Sequence, residues 1–353
     1  MTTVVDHLAE LTAFRDRDAL DATLVGALKD LLQPLGVAIY RCVGEPGAER
    51  WLTRARLGPG DLTPHADPLF ADLETLPALA AHPQRAACLR EQRTLVTEPA
   101  PPGAQGVPDG AGSLACFPLG GEGDAAGVLE IVAARPLGDE PKRLVASILR
   151  IYRNFQGLLD YSERDTLTGL FNRKTFDESF LRVALGAQGD AAAVQVDQRR
   201  PSVAGSPWLG VVDIDHFKRV NDGHGHLIGD EVLLLLSRLM RSSFRHHDRL
   251  YRFGGEEFVV LMRCGSAADA LAAFERLRHN AEQYVFPRVG RITVSIGITQ
   301  VRPGDTPSGA FERADQAVYH VKQNGRNQVA DHAALVASGA LADAARASDV
   351  ELF

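Results

Sequence analysis

Two adjacent glycines between apolar stretches constrain the fold of this chain more than any other short segment. In "RFGGEEFVVL", Gly254 and Gly255 separate two strand-like runs, which predicts a β-hairpin turn. Glycine lets the backbone twist there and lets a ligand approach the main chain closely. Glu256 and Glu257 follow at once, and each of two carboxylates this close raises the other's pKa unless a cation neutralises them. The function of these two glutamates depends on which other residues lie near the hairpin.

Further charged residues can complete a metal and phosphate site at this turn. The strand-like run "WLGVVDI" carries Asp213 near its end, and Lys218 follows it. A carboxylate at a strand end beside a carboxylate on a glycine turn makes a hard-oxygen site suited to Mg²⁺, which keeps waters and bridges substrate phosphates. Lys218, together with Lys322 and Arg326 from "VKQNGRN", can bind those phosphates. These residues predict a magnesium and phosphate site.

Length and composition exclude several classes of protein. The 353 residues predict about two domains, and 45% hydrophobic with 24% charged residues is typical of a soluble globular protein. A net charge of −7 argues against broad binding of nucleic acid or of anionic membranes. The four cysteines form no CxxC pair, which indicates reduced thiols, and the sequence shows neither a signal-peptide pattern nor an apolar run long enough to cross a membrane. We therefore expect a cytoplasmic protein without a membrane span.

Residues 1–141 predict an α+β domain. Leucines at helical spacing come first, and four strand-like runs follow, at 36–43, 93–98, 112–120 and 125–134. A Pro/Gly-rich loop covers 98–112. In element order, and in the paired strands near Leu114 and Val128, this region resembles a GAF sensory domain, without the cysteine–histidine pair of bilin-attaching members. The resemblance implies a ligand or signal that this domain senses; the alternative is an unrelated α+β packing domain.

Residues 142–164 predict a connecting helix. One apolar stripe has the heptad spacing of a coiled-coil seam and consists of Leu144, Ile148, Ile151, Phe155 and Leu158. A neighbouring stripe consists of Val145, Leu149, Tyr152 and Leu159. So broad an apolar face can pack against both its own domain and a second copy of the chain. A simple amphipathic helix is the alternative.

Residues 165–330 predict a second domain, a sheet with helices on one face. The strand-like runs are at 208–214, 249–253, 257–262 and 291–299, and the helix-like runs are at 230–244, 266–284 and 309–324. A polar segment at 186–207 is typical of a surface insertion. The alanine-rich tail 331–353 has no clear partner and is expected to be helical or disordered.

This second domain resembles the GGDEF family of diguanylate cyclases. "RFGGEEF" carries the signature with glutamate at its third position, and "DTLTGLFNR" resembles the opening motif of the family. "DIDHFKRVNDGHGHLIGD", "VSIGIT" and "VKQNGRN" match further segments in family order, over about half the chain. The resemblance implies a nucleotidyl-cyclase-like fold, with a central antiparallel-type sheet flanked by helices.

The resemblance also implies a role for each matching residue. Asp213 and Glu257 hold Mg²⁺, or Mn²⁺ in its place, with the main-chain carbonyl of Ile214. Glu256 acts near the attacking 3′-hydroxyl, as a general base. The residues implied for the nucleotide are Asn221 and Asp230 for guanine, Lys218, Lys322 and Arg326 for the triphosphate, and Gly254 and Gly255 for space.

The implied reaction joins two GTP molecules into cyclic di-GMP and releases two pyrophosphates. One site holds one GTP, so two domains must face each other, as in a symmetric homodimer. "RHHD" resembles the inhibitory product site of the family, with Arg245 and Asp248, and Arg276 or Arg278 as the helper arginine. The alternative function is an inactive domain that acts as a cyclic di-GMP receptor.

Three residues and one short segment in these motifs have plainer interpretations. Asp230 can serve only as the cap of the helix that follows it. Asp215 can be a solvated turn residue, and Arg252 a strand surface residue. "HGH" at 224–226 resembles a zinc pair, but nothing is spaced to complete it, so a turn is favoured.

Overall fold

The structure is a computed structural model that describes residues 4–13, 17–45, 47–68, 71–98, 112–120, 126–184, 195–196 and 205–342. The chain divides into two compact units, Met1–Ser162 with Gln188–Ser202, and Glu163–Ala187 with Val203–Phe353. Most of the loop at 98–112, most of the insertion at 186–207 and the tail from 343 lie outside the described residues. The domain boundaries at 141, 164 and 330 stay predictions.

The regular elements are named here in chain order. The helices are α1 (Val4–Leu11), α2 (Arg17–Leu32), α3 (Pro83–Glu91), α4 (Asp139–Glu163), α5 (Arg173–Ala184), α6 (Phe217–His224), α7 (His226–Ser243), α8 (Ala267–Gln283), α9 (Pro307–Gln323) and α10 (His332–Ala337). The strands are β1 (Gly36–Val43), β2 (Arg50–Leu57), β3 (His65–Ala66), β4 (Leu95–Thr97), β5 (Ser113–Pro118), β6 (Gly127–Ala133), β7 (Phe171–Asn172), β8 (Gln195–Val196), β9 (Ser206–Ile214), β10 (Arg249–Gly254), β11 (Glu257–Cys264), β12 (Val285–Phe286), β13 (Gly290–Arg291), β14 (Val294–Gln300) and β15 (Val329–Asp331).

The first unit is α+β, as predicted. Its strands form one sheet in the order β4-β5-β6-β1-β2-β3-β8, and β5 pairs with β6 antiparallel, with Leu114 opposite Val132 and Pro118 opposite Val128. Helices α1, α2 and α4 contribute to a core with Ile39 and Leu129 on one face of the sheet. On the other face, Cys88 of α3 joins a second core. Strand β2 was not predicted, because "RWLTRARL" interrupts its apolar residues with three arginines.

Helix α4 uses most of its apolar surface inside its own unit. The second stripe, Val145, Leu149, Tyr152 and Leu159, is buried. Of the heptad seam, Ile148 is buried, and Leu144, Ile151 and Phe155 pack at the margin of the same core. Leu158 and Tyr161 are exposed. Leu158, at the end of the seam, and Tyr161 are therefore the large apolar side chains of α4 that stay exposed on this unit.

The second unit has helices on both faces of its sheet. The strand order is β15-β14-β9-β11-β10-β7, with β14, β9, β11 and β10 antiparallel to their neighbours in the centre. A Cβ on Gly210 would lie 2.1 Å from the ring of Phe274 in α8, and a Cβ on Gly297 would lie 2.1 Å from the carbonyl oxygen of Ala314 in α9. Gly297 lies opposite Val211, and neighbours along a strand face opposite sides, so α8 and α9 cover opposite faces. The prediction of helices on one face is wrong.

The tail begins with a helix, one of its two predicted states, but it has a partner that was not predicted. Strand β15 pairs in parallel with β14, and the following helix α10 buries His332. The first residues of the tail therefore have a partner in the second unit. No helix among the described residues is long and apolar enough to cross a membrane.

Candidate functional site

The hairpin between β10 and β11 is formed by the predicted glycines. Gly254 has φ 145° and Gly255 has φ 50°, values that side chains disfavour. Apart from the chain neighbours, no heavy atom of the described residues lies within 4 Å of a Cβ built on either glycine, so the space above the turn is open. The turn thus combines a backbone that requires glycine with room for a ligand.

The two strand ends bring the predicted carboxylates together. Glu257 lies directly opposite Asp213 in the pairing of β11 with β9. The Nζ atom of Lys322, in the last turn of α9, lies 2.7 Å from Oδ2 of Asp213. The other oxygen, Oδ1, is buried and accepts no hydrogen bond from any described residue. Asp213 therefore keeps one coordinating oxygen for a group outside the protein.

Three carboxyl groups at this place are hard to ionise. Burial raises the pKa of Asp213, although the Lys322 ammonium opposes the rise. Burial, and then the charge of Asp213, raise the pKa values of Glu256 and Glu257. A bound cation would relieve this repulsion.

The donor set fits a magnesium ion that keeps part of its water shell. Among the described residues there is no group of three or more His, Cys, Asp or Glu side chains able to hold a metal ion. Asp213 and Glu257 could supply two carboxylates, and Ile214, the last residue of β9, a main-chain carbonyl. Mg²⁺ is typically held by one or two carboxylates, with water and substrate phosphates completing the octahedron.

The predicted guanine-reading residues lie at the junction of α6 and α7. A Cβ on Gly229 would come within 2.0 Å of Oδ1 of Asn221, so the Asn221 side chain lies against α7 at Gly229. Asp230 is the next residue of the helix. Asp230 is inside α7, whose N-cap is Gly225, so the interpretation of Asp230 as a cap is wrong. The "HGH" segment is the junction itself, with Gly225 at φ 82° between the two helices.

The predicted phosphate-binding residues come from two elements. Lys322 is on α9, and Arg326 is half-buried in the turn that follows α9, with φ 62°. Lys218 is exposed on α6. The structure brings Lys322 into contact with Asp213 and leaves Lys218 on the surface.

Arg252 joins the start of the second domain to the glycine turn. Its Nη1 atom lies 3.0 and 3.1 Å from the carboxylate oxygens of Asp165, and its Nη2 atom donates to the carbonyl of Gly255 at 2.8 Å. Burial alone would raise the pKa of Asp165, but hydrogen bonds from Thr168 and from Arg252 outweigh it and hold that pKa below its usual value. The interpretation of Arg252 as a surface residue is wrong.

Asp215 is buried and hydrogen-bonded, not solvated as expected. Its Oδ1 accepts from Ser295 Oγ at 2.7 Å, and its Oδ2 accepts from Thr293 Oγ1 at 2.7 Å and from the amide of Asn327 at 3.1 Å. Only 5% of the residue is exposed. It connects the end of β9 to the turn that carries Arg326.

Two further charged residues, which the sequence analysis missed, act on Glu257. The Arg173 guanidinium lies 5.3 Å from the centre of the Phe253 ring and lowers the pKa of Glu257, whereas the Asp315 carboxylate on α9 raises it. Phe253 in turn stacks on Phe311 at 5.0 Å. The spacing of Asp315 and Lys322, seven residues on one helix, was the available signal.

The predicted product site forms a separate cluster at the end of α7. The amide of Arg245 donates to Oδ2 of Asp248 at 2.9 Å, and Arg276 donates from Nε and Nη2 to the carbonyl of Ser243 at 2.9 and 2.5 Å. Burial raises the pKa of Asp248 to about 6, against the influence of Arg245 and Arg276. Arg278 pairs elsewhere, with Glu275, Glu282 and Asn327. Arg276 is therefore the helper arginine that the geometry favours.

Comparison with known proteins identifies the family of the second unit. Residues 162–328 match the family model described as "Diguanylate cyclase, GGDEF domain". This part of the chain is a GGDEF domain, as the motifs predicted.

The chain matches several curated relatives over about half of its length. It is 40% identical over 168 residues to diguanylate cyclase DgcP of Pseudomonas aeruginosa, covering 47% of this chain and 23% of that protein. It is 38% identical over 188 residues to response regulator PleD of Caulobacter vibrioides, covering 51% of this chain and 38% of that protein. The chain thus spans well under half the length of these relatives.

Among solved structures, the coiled coil and GGDEF domain of DgcB from Caulobacter crescentus in complex with c-di-GMP is 28% identical, with a TM-score of 0.46. The match covers 54% of this chain and 97% of that chain.

Proposed function

We propose that this chain is a diguanylate cyclase that condenses two GTP molecules into cyclic di-GMP and two pyrophosphates. The observation that carries the proposal is the pairing of Asp213 with Glu257 beside an open glycine turn, with Lys322 on one oxygen of Asp213 and nothing among the described residues on the other. The names of the curated relatives support the same activity.

Magnesium, or manganese in its place, is the cofactor of this proposal, held by Asp213, Glu257 and the carbonyl of Ile214. When bound, the ion supplies positive charge that stabilises the phosphoryl group under attack. Lys322 and Arg326, with Lys218 at the surface, hold the triphosphate in line for that attack. Gly254 and Gly255 leave the nucleotide room against the backbone.

Two roles remain for the polar residues around the nucleotide. Asn221 and Asp230 hold the guanine edge, because a carboxylate can accept from both the N1–H and N2–H donors. Glu256, next to Glu257 on the hairpin, accepts the proton of the attacking 3′-hydroxyl.

The proposed enzyme works as a homodimer, since each site holds one GTP and the product contains two. We assign the contact between copies to the accessible margin of α4, which includes Leu158 and Tyr161. The first unit is proposed to be a GAF-like sensor of an unidentified signal. Cyclic di-GMP bound at Arg245, Asp248 and Arg276 provides product inhibition.

Incubation of the purified chain with GTP and Mg²⁺ tests the activity, with the products separated by chromatography and identified by mass. Cyclic di-GMP and pyrophosphate in a 1:2 ratio are expected. Tight binding of added cyclic di-GMP with no conversion of GTP would instead support the receptor, whose site is the cluster around Arg245.

A further inference from the structure

The turn after α9 has an unusual backbone. Three successive residues have positive φ: Gly325 at 107°, Arg326 at 62° and Asn327 at 48°. Glycine adopts this region freely and asparagine more readily than most residues, so the free-energy cost falls mainly on Arg326. Such a turn persists only where the surrounding structure holds it.

Hydrogen bonds from two directions hold this turn at Asn327. Its amide donates to Oδ2 of Asp215 at 3.1 Å. Its side chain donates to Oε1 of Glu282 at 2.8 Å and accepts from Nη1 of Arg278 at 3.0 Å, both on α8. The amide of Arg326 itself donates to the carbonyl of Val321 at 3.0 Å. Arg326 is therefore followed by a residue, Asn327, that is held from both sides.

Asp215 is well suited to hold this amide. A buried carboxylate is costly unless it is hydrogen-bonded. Its side-chain partners here are two hydroxyls, on Thr293 and Ser295, and the Asn327 amide. The two hydroxyls stabilise the buried carboxylate and orient it. Its hydrogen bond from the Asn327 amide is the contact that links it to the turn that carries Arg326.

Asp215 also lies two residues after Asp213, at the same end of β9. It therefore joins the strand that carries the proposed metal ligand to the turn that carries the proposed phosphate ligand. A triphosphate that contacts both Asp213, through the ion, and Arg326 needs them at a fixed separation.

We propose that Asp215 is a positioning residue that presents Arg326 to the triphosphate of GTP, with Arg278 and Glu282 as the second anchor. This inference rests on the proposed function. Asp215 acts through the Asn327 amide and touches no reacting atom. Its contribution comes from hydrogen bonding and not from charge, because the neutral amide of Asn can accept from Asn327 while its NH₂ donates to Ser295 Oγ.

The test measures binding of the α,β-methylene analogue of GTP by calorimetry in Mg²⁺, on the full chain. Asp215→Ala is expected to weaken binding about tenfold, as for the loss of one buried hydrogen bond, and Asp215→Asn to restore it. In the Arg326→Ala background, Asp215→Ala should weaken binding no further, because the group that it positions is gone. Gln323→Ala, an exposed change at the end of the same helix, is the matched control.

Hydrogen exchange of the peptide that contains Asn327 gives a readout that needs no nucleotide. Exchange at this amide should speed up in Asp215→Ala and stay slow in Asp215→Asn. If Asp215→Ala fails to fold, Asn327→Ala loosens the same turn from its α8 side and should weaken analogue binding in the same way.

The outcomes separate the two proposals. Additive losses in the double variant, a loss in Asp215→Asn equal to that in Asp215→Ala, or unchanged exchange at Asn327 would overturn the positioning role while the parent still binds the analogue. Failure of the parent to bind any guanosine triphosphate would overturn the proposed function, and with it any role of Asp215 in binding.

Discussion

Replacement of Gly229 by alanine should selectively damage recognition of GTP. The added Cβ would lie 2.0 Å from Oδ1 of Asn221 and 3.3 Å from Cζ of Phe217. Ordinary carbon contacts lie near 3.5 Å, so the amide oxygen must move by roughly 1.5 Å. A hydrogen bond tolerates only about 0.5 Å of stretch, and its loss is worth about 1–1.5 kcal/mol, or roughly a factor of ten in binding.

The expected kinetic signature is a rise of about tenfold in KM for GTP with little change in kcat, because the lost contact holds the ground state and the transition state equally. Stability should hold or improve, since the obstructing atom is the end of a flexible side chain and alanine favours a helix by up to about 1 kcal/mol. The assay is steady-state pyrophosphate release together with thermal unfolding. Gly223→Ala is the control: it is also helical, but beyond the adjacent backbone of α6 no described residue comes within 4 Å of the new Cβ. An unchanged KM, or an equal rise in both variants, would refute the reasoning.

Three further predictions concern regulation and stability. Arg245→Ala should leave initial turnover intact and weaken inhibition by added cyclic di-GMP; equal inhibition of variant and parent would exclude this site. Burial raises the pKa of Asp248 to about 6 in the folded chain, against about 3.9 unfolded, so the folded state loses about 3 kcal/mol of stability as the pH rises from about 4 to 6. Asp248→Asn should lack this loss when unfolding is followed by Trp208 fluorescence in a Trp51→Phe background. Parallel pH profiles of the two proteins would contradict the prediction. In α4, inserting four residues turns the following residues by a net angle of about 40°, whereas inserting seven keeps the heptad phase and adds about 10 Å. The four-residue insertion should change basal activity far more. Equal effects in proteins shown to be dimeric would mean that the helix only links the two units and does not control activity.

Local sequence patterns were sufficient for the hairpin and its carboxylates. Gly254 and Gly255 between apolar runs predict the turn, and the turn brings Glu257 into register with Asp213 on the central strand. The continuous apolar run of β9 also held a signal that both faces of the sheet are covered, because a strand with one solvated face alternates. The order of the elements alone does not contain this information, and it predicted helices on one face.

Tertiary partners could not be predicted in the same way. Arg252 and Asp165 are 87 residues apart, and no local period relates them. Asp215 has the sequence environment of a turn, yet its three side-chain partners come from positions 293, 295 and 327, which only the folded sheet brings near. Burial of a polar side chain depends on such distant neighbours, so the sequence alone assigned both residues to the surface.

The role of Glu257 tests the central claim most directly. Glu257→Gln keeps the shape of the side chain but replaces an anionic oxygen with an amide, a poor ligand for Mg²⁺. We predict that this variant folds, as shown by an unchanged circular dichroism spectrum, and forms no cyclic di-GMP from GTP and Mg²⁺, while the exposed change Glu178→Gln leaves turnover at the parent level. Near-parent formation of cyclic di-GMP by folded Glu257→Gln would contradict the assignment of this hairpin as the metal-binding active site.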